Sequence, residues 1–320
     1  PIDVQKELLL QLLFKARKTE LGIKYNFSEI KNYKDFTNNV PIRKYESIEP
    51  MIERCRRGEQ NIFWPTNIKW FAKSSGTTNA KSKFIPVSDE ALEDCHFKAG
   101  KDMLCLYFNN NESAQLFVGK GLRLGGSSAV YEDNDTHFGD LSAIIIENLP
   151  FWADFSSAPK QEIALMSEWE TKMKAIVDET IHEDITSLVG VPSWMLVLLN
   201  KVLEKTGKSN ILEVWPNLEV YFHGGVNFNP YREQFKRIIP KEDFQYYETY
   251  NASEGFFAIQ DQNGSLDLLL MLDYGIFYEF IPMDQYVGED SIAIPLSEVE
   301  LGKNYALVIT TNGGLWRYLI

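Results

Sequence analysis

The apolar pattern of this chain changes character at Gly255. Before that point, helix-spaced and strand-spaced segments alternate. After it, five strand-like runs follow one another, at 255–260, 266–272, 275–281, 305–311 and 315–320. A period of 3.6 buries one face of a helix and a period of 2 one face of a strand. A chain written this way is expected to be α/β and multilayered, with a terminal β subdomain over about 255–320. Asn263-Gly264 reads as a hairpin turn between the first two runs.

The upstream elements are readable from spacing and caps. Val4, Leu8, Leu9, Leu12, Leu13 and Ala16 mark an amphipathic helix that stops near Gly22. Short helices are expected at 34–39 and 46–58, and strands at 68–72 and 83–87 flanking a Ser/Thr/Gly-rich turn. Ser88 reads as the N-cap of a helix reaching about 108. Further on, 115–118 reads as a strand, 167–183 and 193–206 as helices, with Pro192 and Ser193 opening the second. A strand at 218–222 runs into His223-Gly224-Gly225, then a helix at 231–238 and a strand at 244–249 follow.

Bulk properties exclude several classes. Of 320 residues, 44% are hydrophobic and 24% charged, which is globular composition. The net charge of −13, from 32 Lys+Arg against 45 Asp+Glu, argues against coating nucleic acid, since phosphate backbones need a basic surface. Three cysteines without a CxxC pair support neither a disulfide framework nor a zinc knuckle, and point to a reduced, cytoplasmic setting. The start lacks the layout of a signal peptide, and no apolar run approaches the ~20 residues of a membrane span. Pro1 and the apolar run at 318–320 suggest a piece of a longer chain.

The densest chemistry lies in Lys73-Ser74-Ser75-Gly76-Thr77-Thr78-Asn79-Ala80-Lys81-Ser82-Lys83. Hydroxyls, one glycine and three lysines supply what a polyphosphate needs: donors, close backbone approach and positive charge. A Walker A loop would need a second glycine before its lysine, and Ala80 stands there. Taken alone, the stretch reads equally as a hydrophilic turn.

A second cluster is Tyr250-Asn251-Ala252-Ser253-Glu254-Gly255 at a strand end, where α/β proteins place ligand groups. Tyr250 can stack on a base, Ser253 can donate to a phosphate and Glu254 can hold Mg²⁺. The Gly224-Gly225 pair admits a flat ligand to the backbone, or simply makes a turn. Thr310 to Tyr318 reads as a hairpin carrying Arg317. Residues 261–267 resemble a calcium loop only loosely, and no nucleophile elbow is present.

In order, these motifs resemble those of adenylate-forming (ANL-type) enzymes, and more closely the GH3 family of acyl-acid amido synthetases. The resemblance also includes Val40-Pro41-Ile42-Arg43-Lys44-Tyr45-Glu46 with Glu49-Pro50-Met51-Ile52, and Leu315-Trp316-Arg317-Tyr318 as the start of a Tyr-Arg-x-Gly-Asp motif. Asn79 and Ala80 stand where the family usually carries glycines. The resemblance implies a partial N-terminal adenylation domain over 1–320, with a C-terminal domain absent.

It further implies ATP and Mg²⁺, and a small carboxylic acid and an amino acid as substrates, with no nucleic-acid or membrane partner. Ser74, Ser75, Gly76, Thr77 and Thr78 would cradle phosphates beside Lys83. Ser253 would meet the α-phosphate and Glu254 the Mg²⁺. Gly224, Gly225, Tyr250 and Arg317 would complete the nucleotide site. Residues 190–194 and 226–228 are candidates for the acyl pocket. An acyl- or aryl-CoA ligase and a non-catalytic nucleotide-binding domain are the alternatives.

Overall fold

The computed structural model describes residues 1–74, 82–126, 131–133 and 135–320. Three sheets organise it. In the first, β1 (Trp70–Ser74) and β2 (Lys83–Val87) pair antiparallel, β5 (Thr136–Gly139) lies parallel to β1, and β4 (Tyr131–Asp133) pairs outside it. The largest contains β3 (Lys120–Leu124), β6 (Ser157–Ala158), β7 (Ile185–Gly190), β8 (Val220–Gly224) and β9 (Gln245–Ala252), all parallel. Strands β10 (Gly255–Ile259) and β11 (Leu269–Leu270) extend it antiparallel, in the order β11-β10-β9-β8-β7-β3-β6. The third has β12 (Ile276–Pro282), β13 (Ile294–Pro295), β14 (Tyr305–Thr311) and β15 (Tyr318–Leu319), in the order β13-β12-β14-β15.

Helices cover the parallel strands as their length and connections require. Met173, Ile176 and Val177 of helix Trp169–Thr180 join Met195, Leu198, Leu199 and Val202 of helix Pro192–Thr206. Both helices pack on Leu122, Leu124, Leu188 and Tyr221. Each such fully buried side chain contributes about 1.5–3 kcal/mol relative to exposure. The opposite face packs Val220, Phe222 and Tyr247 against Tyr107 and Leu116.

A separate core joins the two ends of the chain. Leu9, Leu12, Leu13 and Ala16 of helix Ile2–Ala16 pack with Tyr274, Ile276, Phe277 and Tyr278. The buried Gln5 carboxamide locks this contact. Its Nε2 donates to Leu272 O (2.7 Å) and Ile276 O (3.0 Å), and its Oε1 accepts from Tyr278 N (2.8 Å).

Several elements differ from the sequence expectation. The first two strands after Gly255 continue the large sheet, so only β12–β15 form a sheet of their own. Residues 116–118 make a 3₁₀ turn, not a strand, because Leu116 is buried while Phe117 and Val118 face solvent. The strand begins at Lys120. In place of a tight hairpin at Asn263-Gly264, a longer loop joins β10 to β11. The Asn263 carboxamide is tied to Tyr247 Oη (2.6 Å), Asn110 O and Asn111. Ser88 does cap its helix, its Oγ accepting from Ala91 N at 3.0 Å. That helix widens to a π turn over Leu92–Phe97 before resuming at Lys98–Asn110.

Candidate active site

The parallel strands β7, β8 and β9 end side by side, with Gly190 opposite His223 and Gly224 opposite Thr249. Their carboxyl ends form the edge at which open α/β sheets bind ligands. β9 then turns sharply. Ala252 pairs with Gly255, so Ser253-Glu254 is the whole two-residue turn into β10. Both residues are thereby fixed at the sheet edge by strand pairing on either side.

Glu254 is half-buried. Burial raises its carboxyl above the ordinary range. A bond to its own backbone N–H, the Lys83 charge and the Tyr318 hydroxyl act in the opposite direction. A desolvated carboxylate with one nearby cation suits a divalent metal that brings its remaining ligands with it. Among the described residues there is no group of three or more His, Cys, Asp and Glu arranged to hold a metal. A metal here would therefore draw on Glu254 and substrate oxygens.

Lys83 opens β2 and pairs in register with Ser74, which closes β1. Ser75, Gly76, Thr77 and Thr78 lie outside the described residues. The Lys83 ammonium sits 5.6 Å from the centre of the Tyr45 ring. The Tyr45 hydroxyl in turn accepts from Phe84 N at 2.9 Å, which fixes that ring against β2. Lys83, Tyr45, Glu254 and Tyr318 thus converge from four separate stretches of chain.

Tyr250 lies on β9 opposite Ala258, 43% exposed, its ring 4.9 Å from that of Phe257. The Tyr250 ring meets that of Phe257 at a tilt of 55° and stays partly open to solvent. Gly224 is required by the fold itself: a Cβ there would lie 2.5 Å from Thr249 O and 2.7 Å from Thr249 Oγ1. Gly225 adopts φ +82°, which a side chain resists. A Cβ built on Gly225 would lie 3.5 Å from Val191 Cγ2, so the 190–194 and 224–228 stretches meet at this edge. Phe228 is turned inward, stacked on the buried His223 ring at 4.1 Å, while Val226 is exposed.

Arg317 is placed differently from the expectation that it contacts nucleotide. It is 5% exposed, and its guanidinium donates to both carboxylate oxygens of the fully buried Glu279 at 2.8–3.1 Å. Its Nη1 donates to Val40 O at 2.7 Å. Its donors are committed to the interior, so the direct contact is set aside. The tyrosines at 45 and 318 carried no site assignment from sequence, although both lie in the segments that suggested the family.

Residues 1–244 match the family model described as the GH3 family N-terminal domain, and residues 269–320 the GH3 family central domain. The chain belongs to the GH3 family. Relatives of this GH3 chain include indole-3-acetic acid-amido synthetase GH3.3 of Arabidopsis thaliana, 23% identical over 99% of this chain and 63% of that protein. Jasmonoyl--L-amino acid synthetase JAR4 of Nicotiana attenuata is 24% identical over 98% of this chain and 65% of that protein. The chain thus spans a little under two thirds of the length of these relatives.

The AtGH3.15 acyl acid amido synthetase solved in complex with 2,4-DB superposes with a TM-score of 0.84 at 17% identity, covering 99% of this chain and 64% of that one. A 2-hydroxyisobutyryl-CoA ligase superposes at 0.61 with 13% identity, covering all of this chain and 63% of that one. The GH3 chain therefore has the α/β fold that amido synthetases share with acyl-CoA ligases of the adenylate-forming kind.

Proposed function

We propose that this GH3 chain is the adenylating part of an acyl-acid amido synthetase, which activates a small carboxylic acid with ATP and joins it to an amino acid. The observation that carries this reading is the convergence of Lys83 and the Ser253-Glu254 turn at the carboxyl edge of the parallel sheet. The amide product is favoured over a thioester because the curated relatives described above are amido synthetases.

In the first step a carboxylate oxygen attacks the α-phosphorus of ATP, and pyrophosphate leaves. In the second, the amino group attacks the acyl carbon of the mixed anhydride, AMP leaves and the nitrogen loses a proton. A free carboxylate resists amine attack because it is anionic, and the anhydride supplies the leaving group.

The protein's part is positioning and charge stabilisation. Ser253, held in the hairpin turn, is assigned to the α-phosphate, and Lys83 to the charge that develops on the phosphates. Ser74, Ser75, Gly76, Thr77 and Thr78 are assigned to the β- and γ-phosphates. Tyr250 and the Gly224-Gly225 backbone are assigned to the adenine. Glu254 would hold Mg²⁺, which supplies charge neutralisation at the phosphate oxygens. Val191 and Val226, beside Gly225, are the candidates for the acyl side.

A cytoplasmic setting is part of the proposal, suggested by three unpaired cysteines, of which Cys55 and Cys95 are buried. No helix among the described residues is long and apolar enough to cross a membrane.

The test is acid-dependent exchange of labelled pyrophosphate into ATP by the full-length protein, across a panel of carboxylic acids. Exchange with at least one acid is expected. No exchange with any would overturn the reading. Mass analysis of products formed with amino acids or with CoA separates amide from thioester.

A further inference from the structure

A lysine that serves phosphate binds best when its charge is steadied before the ligand arrives. Its four-carbon stem is flexible, and ordering it only on binding weakens affinity. Lys83 has such a support. Its ammonium lies 5.6 Å from the centre of the Tyr45 ring, inside the roughly 6 Å reach of a cation–π contact. The ring face attracts the ammonium and leaves its charge intact. A carboxylate partner would instead cancel the charge that phosphates need.

The ring itself is held fast. Tyr45 is 4% exposed and is the first residue of helix Tyr45–Arg56. Its hydroxyl accepts from the backbone N–H of Phe84, the residue after Lys83, at 2.9 Å. Strand β2 stands at the end of its sheet's order, so this bond ties an outer strand to the helix. Near the far end of the same helix, the Arg56 guanidinium lies 3.8 Å from the centre of the Phe84 ring. Arg56 Nη1 in turn donates to Glu53 Oε1 at 2.8 Å. The helix thus grips Phe84 by both its N–H and its ring. Its amino end is braced against the third sheet. Arg43 N donates to Arg317 O (2.9 Å) and Leu319 N to Arg43 O (2.8 Å). Glu289 Oε1 accepts from Lys44 N and from Ser47 Oγ, both at 2.6 Å, a carboxylate where the helix end favours one.

We infer that Tyr45 is a positioning residue that holds the Lys83 ammonium ready for the β- and γ-phosphates of ATP. Lys83 pairs in register with Ser74, the first residue of the stretch assigned to those two phosphates. Tyr45 touches neither nucleotide nor acid. It acts through Lys83, with its ring on the charge and its hydroxyl on the strand that carries it.

The inference rests on the adenylation reading. Its test is calorimetry on the full-length protein with two probes, a non-hydrolysable ATP analogue and AMP. Tyr45→Leu removes the ring and is expected to weaken the analogue roughly two- to five-fold, the scale of a cation–π contact. AMP lacks the two outer phosphates, so its affinity should not change. A merely structural role would weaken both. Lys83→Ala should weaken the analogue by more than Tyr45→Leu does. In the Lys83→Ala background, Tyr45→Leu should cost nothing further, since residues that act through one another are not additive.

Should Tyr45→Leu fail to fold, Tyr45→Phe keeps the ring and releases it from Phe84 N. That variant should weaken the analogue about two-fold, again only while Lys83 is present. Parent affinity in the folded Tyr45 variant, an equal loss for AMP, or the same loss with and without Lys83 would each overturn the inference alone. So would an analogue affinity that Lys83→Ala leaves unchanged. A parent protein that binds no ATP analogue would overturn the adenylation reading and this inference together.

Discussion

Glu254 and the two buried histidines show how burial sets what single residues do. Glu254 carries its charge at a desolvated position with Lys83 close by. Glu254→Gln keeps the shape and removes the charge. The exchange reaction should fall by about 100-fold or more, on the scale of losing a preorganised electrostatic group. Exchange at half the parent rate would remove Glu254 from the proposed metal site. His96 and His223 are buried with Nδ1 unpartnered. Burial lowers His96 to about 4. Burial, and then the Arg232 charge, lower His223 to about 3. In the unfolded chain both take up a proton near 6.5. Their contribution to stability is therefore full above pH 6.5 and is lost as pH falls toward 4. Between pH 7 and 5 each should cost roughly 1–2 kcal/mol. Urea midpoints at the two pH values measure this, and His96→Gln should flatten the dependence. Equal midpoints at both pH values would contradict it.

At the scale of elements, close strand approach explains what a motif alone leaves open. The Gly224 position abuts Thr249 so tightly that Gly224→Ala must move β8 from β9. A loss of about 1–3 kcal/mol is expected, read by thermal unfolding, together with weaker nucleotide binding. An unchanged melting temperature would show that the pairing has slack. Elements with local signals were legible: Pro192 begins helix Pro192–Thr206, and Gly207 in the left-handed region ends it. Strand β3 carries little sequence signal, since only Leu122 and Leu124 mark it, beside glycine and charged residues. The π turn at Leu92–Phe97 has no local signal in the sequence; within it Cys95 Sγ accepts from Phe256 N at 3.2 Å, a contact from far along the chain. The site divides the same way. Lys83 and Glu254 stood out as residue types in motifs, but their meeting with Tyr45 and Tyr318 depends on which strands end together. Arg317 stood out by type and was assigned to nucleotide, because its buried partner Glu279 lies in a strand with no visible motif.

The whole molecule folds as a mutual enclosure of its two ends. The family models divide the chain at 244 and 269, yet the core does not divide there. Leu9, Leu12, Phe27, Phe36 and Trp64 pack in one cluster with Phe257, Ile276, Tyr278, Ile309 and Trp316. The Trp316 indole donates to Phe63 O at 3.1 Å, and its ring lies 4.4 Å from that of Phe27. The large sheet also loses β9, β10 and β11 if the chain stops at 244, leaving β8 with an unpaired edge. Residues 1–244 expressed alone would expose these apolar faces and leave the Gln5 carboxamide without its three partners. A buried polar group stripped of its partners costs about 1–3 kcal/mol, and the lost burial costs far more, at about 25 cal/mol per Å². The fragment 1–244 is therefore expected to be aggregated or molten, with no cooperative thermal transition by circular dichroism. The parent chain should unfold cooperatively through the shared core. A soluble 1–244 fragment with a sharp transition would show that the N-terminal part is an independent unit, and that the enclosure by 255–320 serves the site more than the fold.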